Sequence, residues 1–164
     1  TGVLVYHERH CAGCLTRKLN NGTLLYYHPV LEAKLVTRTG YALSLMTEFI
    51  ENSDPQATKQ DCELKAFYRL ADRLKQRFPR LDFCLLLDGL FAGGPTLEKI
   101  EKQGWKYLIT LTDADLPSVN QEFEALLTLP PDSHLTVPLP TGGQQAFRWV
   151  NTIDYCDSED QHHS

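Results

Sequence analysis

Two places in this sequence carry residues suited to binding a cation. The first is His7-Glu8-Arg9-His10-Cys11-Ala12-Gly13-Cys14. Zinc prefers thiolate and imidazole ligands, and Cys-x-x-Cys lets two sulfurs grip one ion from a tight turn. Asn21-Gly22, between Leu19 and the run Thr23 to Tyr27, is a two-residue hairpin signal. Such a hairpin brings His28 back toward Cys14. Cys11 and Cys14 with two of His7, His10 and His28 would make a tetrahedral zinc site; the alternative is reduced thiols beside surface histidines. The second place is Asp88, which ends the apolar run Phe83 to Leu87 and is followed by Gly89. In open α/β sheets, ligands bind beyond the carboxyl ends of the strands. A carboxylate there can hold a hard cation such as magnesium or act in catalysis; it can also cap an Asp-Gly turn.

The elements that must position these residues follow from pattern. Residues 2–6 read as a strand end. Leu24 to Thr37 and Tyr41 to Ile50 read as two β segments joined at Thr39-Gly40. Asn52 to Thr58 is a polar loop. Lys59 to Arg80 shows helical spacing of Leu64, Phe67, Leu70, Ala71, Leu74 and Phe78, with Asp61 and Glu63 at its start and Pro79 as its stop. Its outer face carries Lys65, Arg69 and Arg73, either contacts for DNA phosphates or a solvated surface. The run Phe83 to Leu87 suits a strand buried on both faces. Gly93-Gly94-Pro95 opens a short helix that turns Leu97 and Ile100 inward and ends at Gly104. Trp105 to Leu111 is a further strand. Asp115 is placed to cap a helix through Leu127. Pro130-Pro131 breaks the pattern, and Leu135 to Leu139 and Ala146 to Tyr155 read as strands around Thr141-Gly142-Gly143. The tail from Asp157 is polar and expected to fray.

Composition narrows the class. The 164 residues are 42% hydrophobic and 23% charged, which fits a globular chain rather than a disordered one. No apolar run approaches the roughly 20 residues of a membrane span. Residues 1–80 hold 12 Lys and Arg against 8 Asp and Glu, whereas residues 81–164 hold 4 against 13. A basic half beside an acidic half suits a nucleic-acid surface next to a cation site; acidic loops and a solvated helix face give the same count. Five cysteines, with only Cys11 and Cys14 close in sequence, point to a reducing, cytoplasmic setting rather than a disulfide scaffold.

The order of strand, hairpin, two strands, helix, strand ending in Asp, helix and strand is that of an RNase H-like core. His10-Cys11-x-x-Cys14, Asn21-Gly22, Tyr26-Tyr27-His28, Leu31-x-Ala33-x-Leu35-Val36, Asp61-Cys62-Glu63 and Leu86-Leu87-Asp88 together resemble bacterial insertion-sequence transposases of the DDE type. So do Tyr107-Leu108-Ile109, Asp115-Leu116-Pro117-Ser118-Val119 and Arg148-Trp149-Val150-Asn151. The resemblance implies an α/β fold: an RNase H-like mixed sheet flanked by helices, with an N-terminal Cys/His hairpin insertion over residues 7–28. It implies a partial catalytic core over residues 1–130 and the start of a C-terminal β-rich insertion, with a polar tail, over residues 131–164.

The resemblance further implies that three carboxylates hold two magnesium ions. Two such ions, roughly 3.5–4 Å apart, activate the attacking oxygen and stabilise the leaving one in an in-line displacement at phosphorus. Asp88 matches the second carboxylate. The first is expected just before Thr1 and the third, a Glu, on a helix beyond the β-rich insertion, so this chain alone is expected to be inactive. The implied partners are DNA, as transposon ends and target, and for the whole enzyme further copies of itself, with no membrane. A competing reading is a zinc-stabilised nucleic-acid-binding module without catalysis.

Overall fold

The computed structural model describes residues 2–6, 10–52, 61–128, 133–151, 153, 155–156 and 162–163. Over these residues the chain is mixed α/β, with three helices and several small sheets. It divides into two compact units, Thr1–Asp82 and Phe83–Ser164.

The sheet of the first unit has four strands, β1 (Gly2–Tyr6), β2 (Leu15–Lys18), β3 (Leu24–Val36) and β4 (Ala42–Phe49), all paired antiparallel. Strand β3 is the spine. Tyr26 and Tyr27 pair with both β1 and β2, and Val30 with both β1 and β4. A strand has two edges, so β1 occupies one edge of β3 while β2 and β4 share the other. The β2–β3 hairpin closes at Asn21-Gly22. Gly22 adopts φ +86°, which glycine takes at no steric cost, and Asn21 Oδ1 accepts the Thr23 N–H at 3.0 Å.

Helix α1 (Glu63–Arg77) lies on β3 and β4 and buries Ala66, Phe67, Leu70, Ala71 and Leu74. This is the apolar stripe seen in the sequence. Leu15, Ile50 and Ala66 form a core cluster, with Tyr27 and Leu31 packed against it. The helix expected over Lys59 to Arg80 is observed from Glu63 to Arg77; Lys59 and Gln60 lie outside the described residues. It stops short of Pro79 because the residue before a proline is disfavoured in the α region, and Phe78 has left it with φ −129°.

In the second unit β5 (Cys84–Asp88) and β6 (Lys106–Thr110) pair in parallel, with Asp88 opposite Thr110. A single 3-10 turn, Gly89–Phe91, leads to α2 (Gly94–Lys102). Phe91, Ala92, Leu97, Ile100 and Trp105 are buried, and the Phe83 ring meets Trp105 edge to face at 5.2 Å. The expectation that β5 is buried on both faces is corrected here. Leu86 is 63% exposed, and its β6 neighbour Leu108 is 64% exposed. Alternate side chains stand on opposite faces of a strand, and only the face bearing Leu85, Leu87, Tyr107 and Ile109 is partly covered. An apolar run cannot by itself distinguish one covered face from two.

Helix α3 (Pro117–Leu127) turns Val119, Phe123, Leu126 and Leu127 to a half-buried face. Asp115 does not cap it. The N-cap is Leu116, at φ +44° with no side-chain cap. The Asp115 carboxylate instead accepts the Thr112 N–H and the Thr112 hydroxyl, each at 2.8 Å. These bonds, the backbone one foremost, hold Asp115 below the usual carboxylate range.

The same carboxylate lies against Gly89: a Cβ at position 89 would come within 2.2 Å of Asp115 Oδ2. Gly89→Ala must therefore expel Asp115 from Thr112. The expected result is a modest loss of stability, read as a lower urea midpoint, because the group that must yield is the end of a flexible side chain. Gly89→Ala with Asp115→Ala should recover part of it. A single variant as stable as the parent would show that the contact does not constrain the loop.

Strands β7 (His134–Pro138) and β8 (Gln144–Arg148) form an exposed antiparallel hairpin around Thr141-Gly142-Gly143. The β8 strand is shorter than the expected Ala146 to Tyr155 segment. In the tail, β9 (Tyr155–Cys156) pairs antiparallel with β10 (His162–His163); residues 157–161 and 164 lie outside the described residues, as do residues 53–60 and Pro130-Pro131. Among the described residues no helix is long and apolar enough to cross a membrane.

Candidate metal centre

The hairpin register places the sulfur ligands next to the imidazole. Leu15 pairs with Tyr27, so Cys14, one residue before β2, comes alongside His28. The segment Cys11 to Cys14 closes as a turn, with the Cys14 N–H donating to the Cys11 carbonyl at 3.2 Å. The result is a three-residue group, Cys11, Cys14 and His28, whose ligand atoms lie within 4.8 Å of one another. The two sulfurs are 3.7 Å apart, and His28 Nε2 is 3.3 Å from Cys11 Sγ and 3.2 Å from Cys14 Sγ.

These distances fit a metal ion such as zinc. Bonds of about 2.3 Å to sulfur and about 2.1 Å to nitrogen set tetrahedral edges of about 3.8 Å between sulfurs and about 3.6 Å between sulfur and nitrogen. The observed distances are within about 0.4 Å of those edges. The Cys11 N–H also points at Cys14 Sγ, at 3.3 Å, a donor aimed at an atom that is negative when it ligates metal. Cys14 is buried and Cys11 exposed, so the group opens to solvent on one side.

Two further histidines were expected to compete for the remaining position. His7 lies outside the described residues. His10 lies outside the three-residue group, and its ring stacks on Tyr26 with centroids 4.3 Å apart. Tyr26 and His28 are two residues apart on β3 and so share a face, which puts His10 near the centre with the face of its ring on the tyrosine.

Asp88 ends β5 as expected and its carboxylate is exposed. Oδ1 accepts the Leu90 N–H at 3.2 Å and caps the 3-10 turn. Among the described residues Asp88 belongs to no cluster of three ligand-type side chains.

Of the basic residues on α1, Lys65 is exposed. Arg69 and Arg73 are committed to the sheet below. Arg69 pairs with Glu48 at 2.6 Å and Asp61 at 2.7 Å and donates to the Phe49 carbonyl; Arg73 pairs with Glu48 and donates to the Thr47 carbonyl. Burial alone would raise Glu48 and Asp61, but the guanidinium bonds and charges outweigh it and hold both below the usual carboxylate range. Arg69 is raised in turn, chiefly by its bond to Asp61.

A carboxylate depressed in the folded state stabilises above its unfolded pKa and loses that contribution as pH falls through the folded one. Half-exposed pairs are worth roughly 0.2–1 kcal/mol each. The urea midpoint of the parent should thus exceed that of Glu48→Gln at neutral pH, and the gap should close as pH falls below the carboxylate range. A gap independent of pH would mean that charge is not what Glu48 contributes.

Sequence reading missed Glu48 and also Asn52. The Asn52 N–H donates to the Gly13 carbonyl at 3.1 Å, and its side-chain amide donates to the Cys14 carbonyl at 3.3 Å. Nothing local marks this role, because Cys14 lies 38 positions away. No protein-family profile, characterised protein or solved structure matches the chain.

Proposed function

We propose that the chain is part of the catalytic domain of a DDE-type transposase, acting on DNA, with one structural zinc ion at Cys11, Cys14 and His28. The observation that carries the reading is the order of elements: antiparallel β1, β3 and β4, then α1, then the parallel pair β5–β6 with exposed Asp88 as the last residue of β5. In an RNase H-like core such strands share one mixed sheet with the helix packed against it, and the resemblance makes Asp88 the second of three carboxylates that hold metal. The zinc ion would act structurally, with His10 or His7 as the fourth ligand that closes a tetrahedral site.

On this reading Asp88 supplies one of three carboxylates. The test is DNA cleavage: none by the chain itself, and cleavage dependent on Asp88 once the protein is extended at both ends.

A second reading, a zinc-stabilised nucleic-acid-binding module without catalysis, is favoured by the bond from the Leu90 N–H to Asp88 Oδ1, which is what a turn cap requires. The same cleavage experiment separates the two.

A further inference from the structure

We propose that Asn52 is a positioning residue for the metal centre, coupling ligation at Cys11, Cys14 and His28 to the seating of helix α1. The proposal rests on the zinc reading above.

Three groups of Asn52 are in use. Its N–H holds the Gly13 carbonyl, in the middle of the Cys-x-x-Cys turn, and its Nδ2 holds the Cys14 carbonyl. Its Oδ1 accepts the N–H of Asp61 at 3.1 Å. Asp61 stands two residues before α1 and binds the Glu51 N–H and the Arg69 guanidinium of the helix. One half-buried side chain thus ties the metal-ligand turn to the entry of α1. A second, apolar link runs parallel to it: Leu15, next to ligand Cys14, packs in one cluster with Ile50 and Ala66 of α1.

Groups that orient metal ligands typically account for 10–100-fold in metal affinity. Here the orienting group also serves the helix. Coupling between two equilibria is reciprocal: if a seated α1 tightens metal binding, bound metal must hold α1 down by the same factor. Glu48 also fastens α1 to β4, through Arg69 and Arg73, and is linked to Asn52 through Arg69 and Asp61 rather than by a bond of its own to the Cys turn. It provides the control for general loosening.

The experiment uses the full chain, with cobalt(II) as a spectroscopic probe and zinc(II) as competitor. The parent should show an intense thiolate-to-cobalt charge-transfer band. Zinc should slow amide exchange over Ala66 to Leu74 by about 10-fold or more. Asn52→Ala should weaken cobalt and zinc affinity by about 10–100-fold and abolish the zinc effect on α1 exchange. Glu48→Gln, which loosens α1 but leaves the bonds of Asn52 to the turn in place, should lower stability and weaken metal affinity by clearly less than Asn52→Ala.

Parental affinity in Asn52→Ala, or equal weakening in Glu48→Gln, would overturn the coupling while leaving the zinc reading intact. No charge-transfer band in the parent would overturn both. Should Asn52→Ala fail to fold, the parent alone still decides: α1 exchange indifferent to zinc would defeat the proposal.

Discussion

Removal of zinc should cost the Thr1–Asp82 unit several kcal/mol of stability, the largest stability effect expected for this protein. Apparent binding energies of structural zinc are roughly 10–16 kcal/mol in small domains, and where the site forms only on folding that energy stabilises the fold. The group draws on a turn before β2 and on β3, and the segment after β4 clamps the turn through Asn52. Its apolar support is slight, with Leu15, Ile50 and Ala66 as the core cluster beside it. Without the ion, Cys11, Cys14 and His28 lose what draws them together, and the β2–β3 register loses a constraint. Protein purified without chelator should carry about one zinc per chain, and Cys14→Ser should carry less than about 0.2. Chelation should lower the urea midpoint and raise amide exchange in β2, β3 and α1, reversibly on adding zinc. A parent holding less than about 0.2 zinc per chain, or a midpoint indifferent to chelator, would reduce the cluster to hydrogen-bonded thiols.

What could be read in advance was local. Asn21-Gly22 marked the hairpin, the hairpin brought His28 to Cys14, and strict apolar spacing marked the buried stripe of α1. The partners of Arg69 and Arg73 were not legible. Glu48 lies 21 and 25 positions away, on a strand whose register depends on the Ala33/Lys34 irregularity in β3. Spacing placed these arginines on an outer face, but nothing local could show that long guanidinium arms fold back to the sheet. His10 was a plausible ligand by proximity in sequence; its diversion to Tyr26 depends on which face of β3 it meets. The misreading of Leu86 has the same origin, since burial on a second face is a property of what packs there.

Asp88→Asn should abolish DNA cleavage, by at least about 1,000-fold, in a protein extended at both ends of this chain, while DNA binding changes little. A two-metal displacement needs carboxylates that neutralise and fix both ions, and asparagine at position 88 would keep the shape but remove the charge. Binding relies on phosphate neutralisation by basic residues, which this variant does not touch. The fold should survive as well, because the asparagine side-chain oxygen can still accept the Leu90 N–H that Asp88 accepts. The chain as it stands, with Asp88 in no cluster of three ligand-type side chains among the described residues, should neither nick nor join DNA with magnesium or manganese. Supercoiled-plasmid nicking and strand-transfer assays on the chain, the extended protein and its Asp88→Asn variant separate the outcomes. Cleavage by the chain itself, or full activity of the extended variant, would mean that another carboxylate does the work and that Asp88 is a turn cap alone.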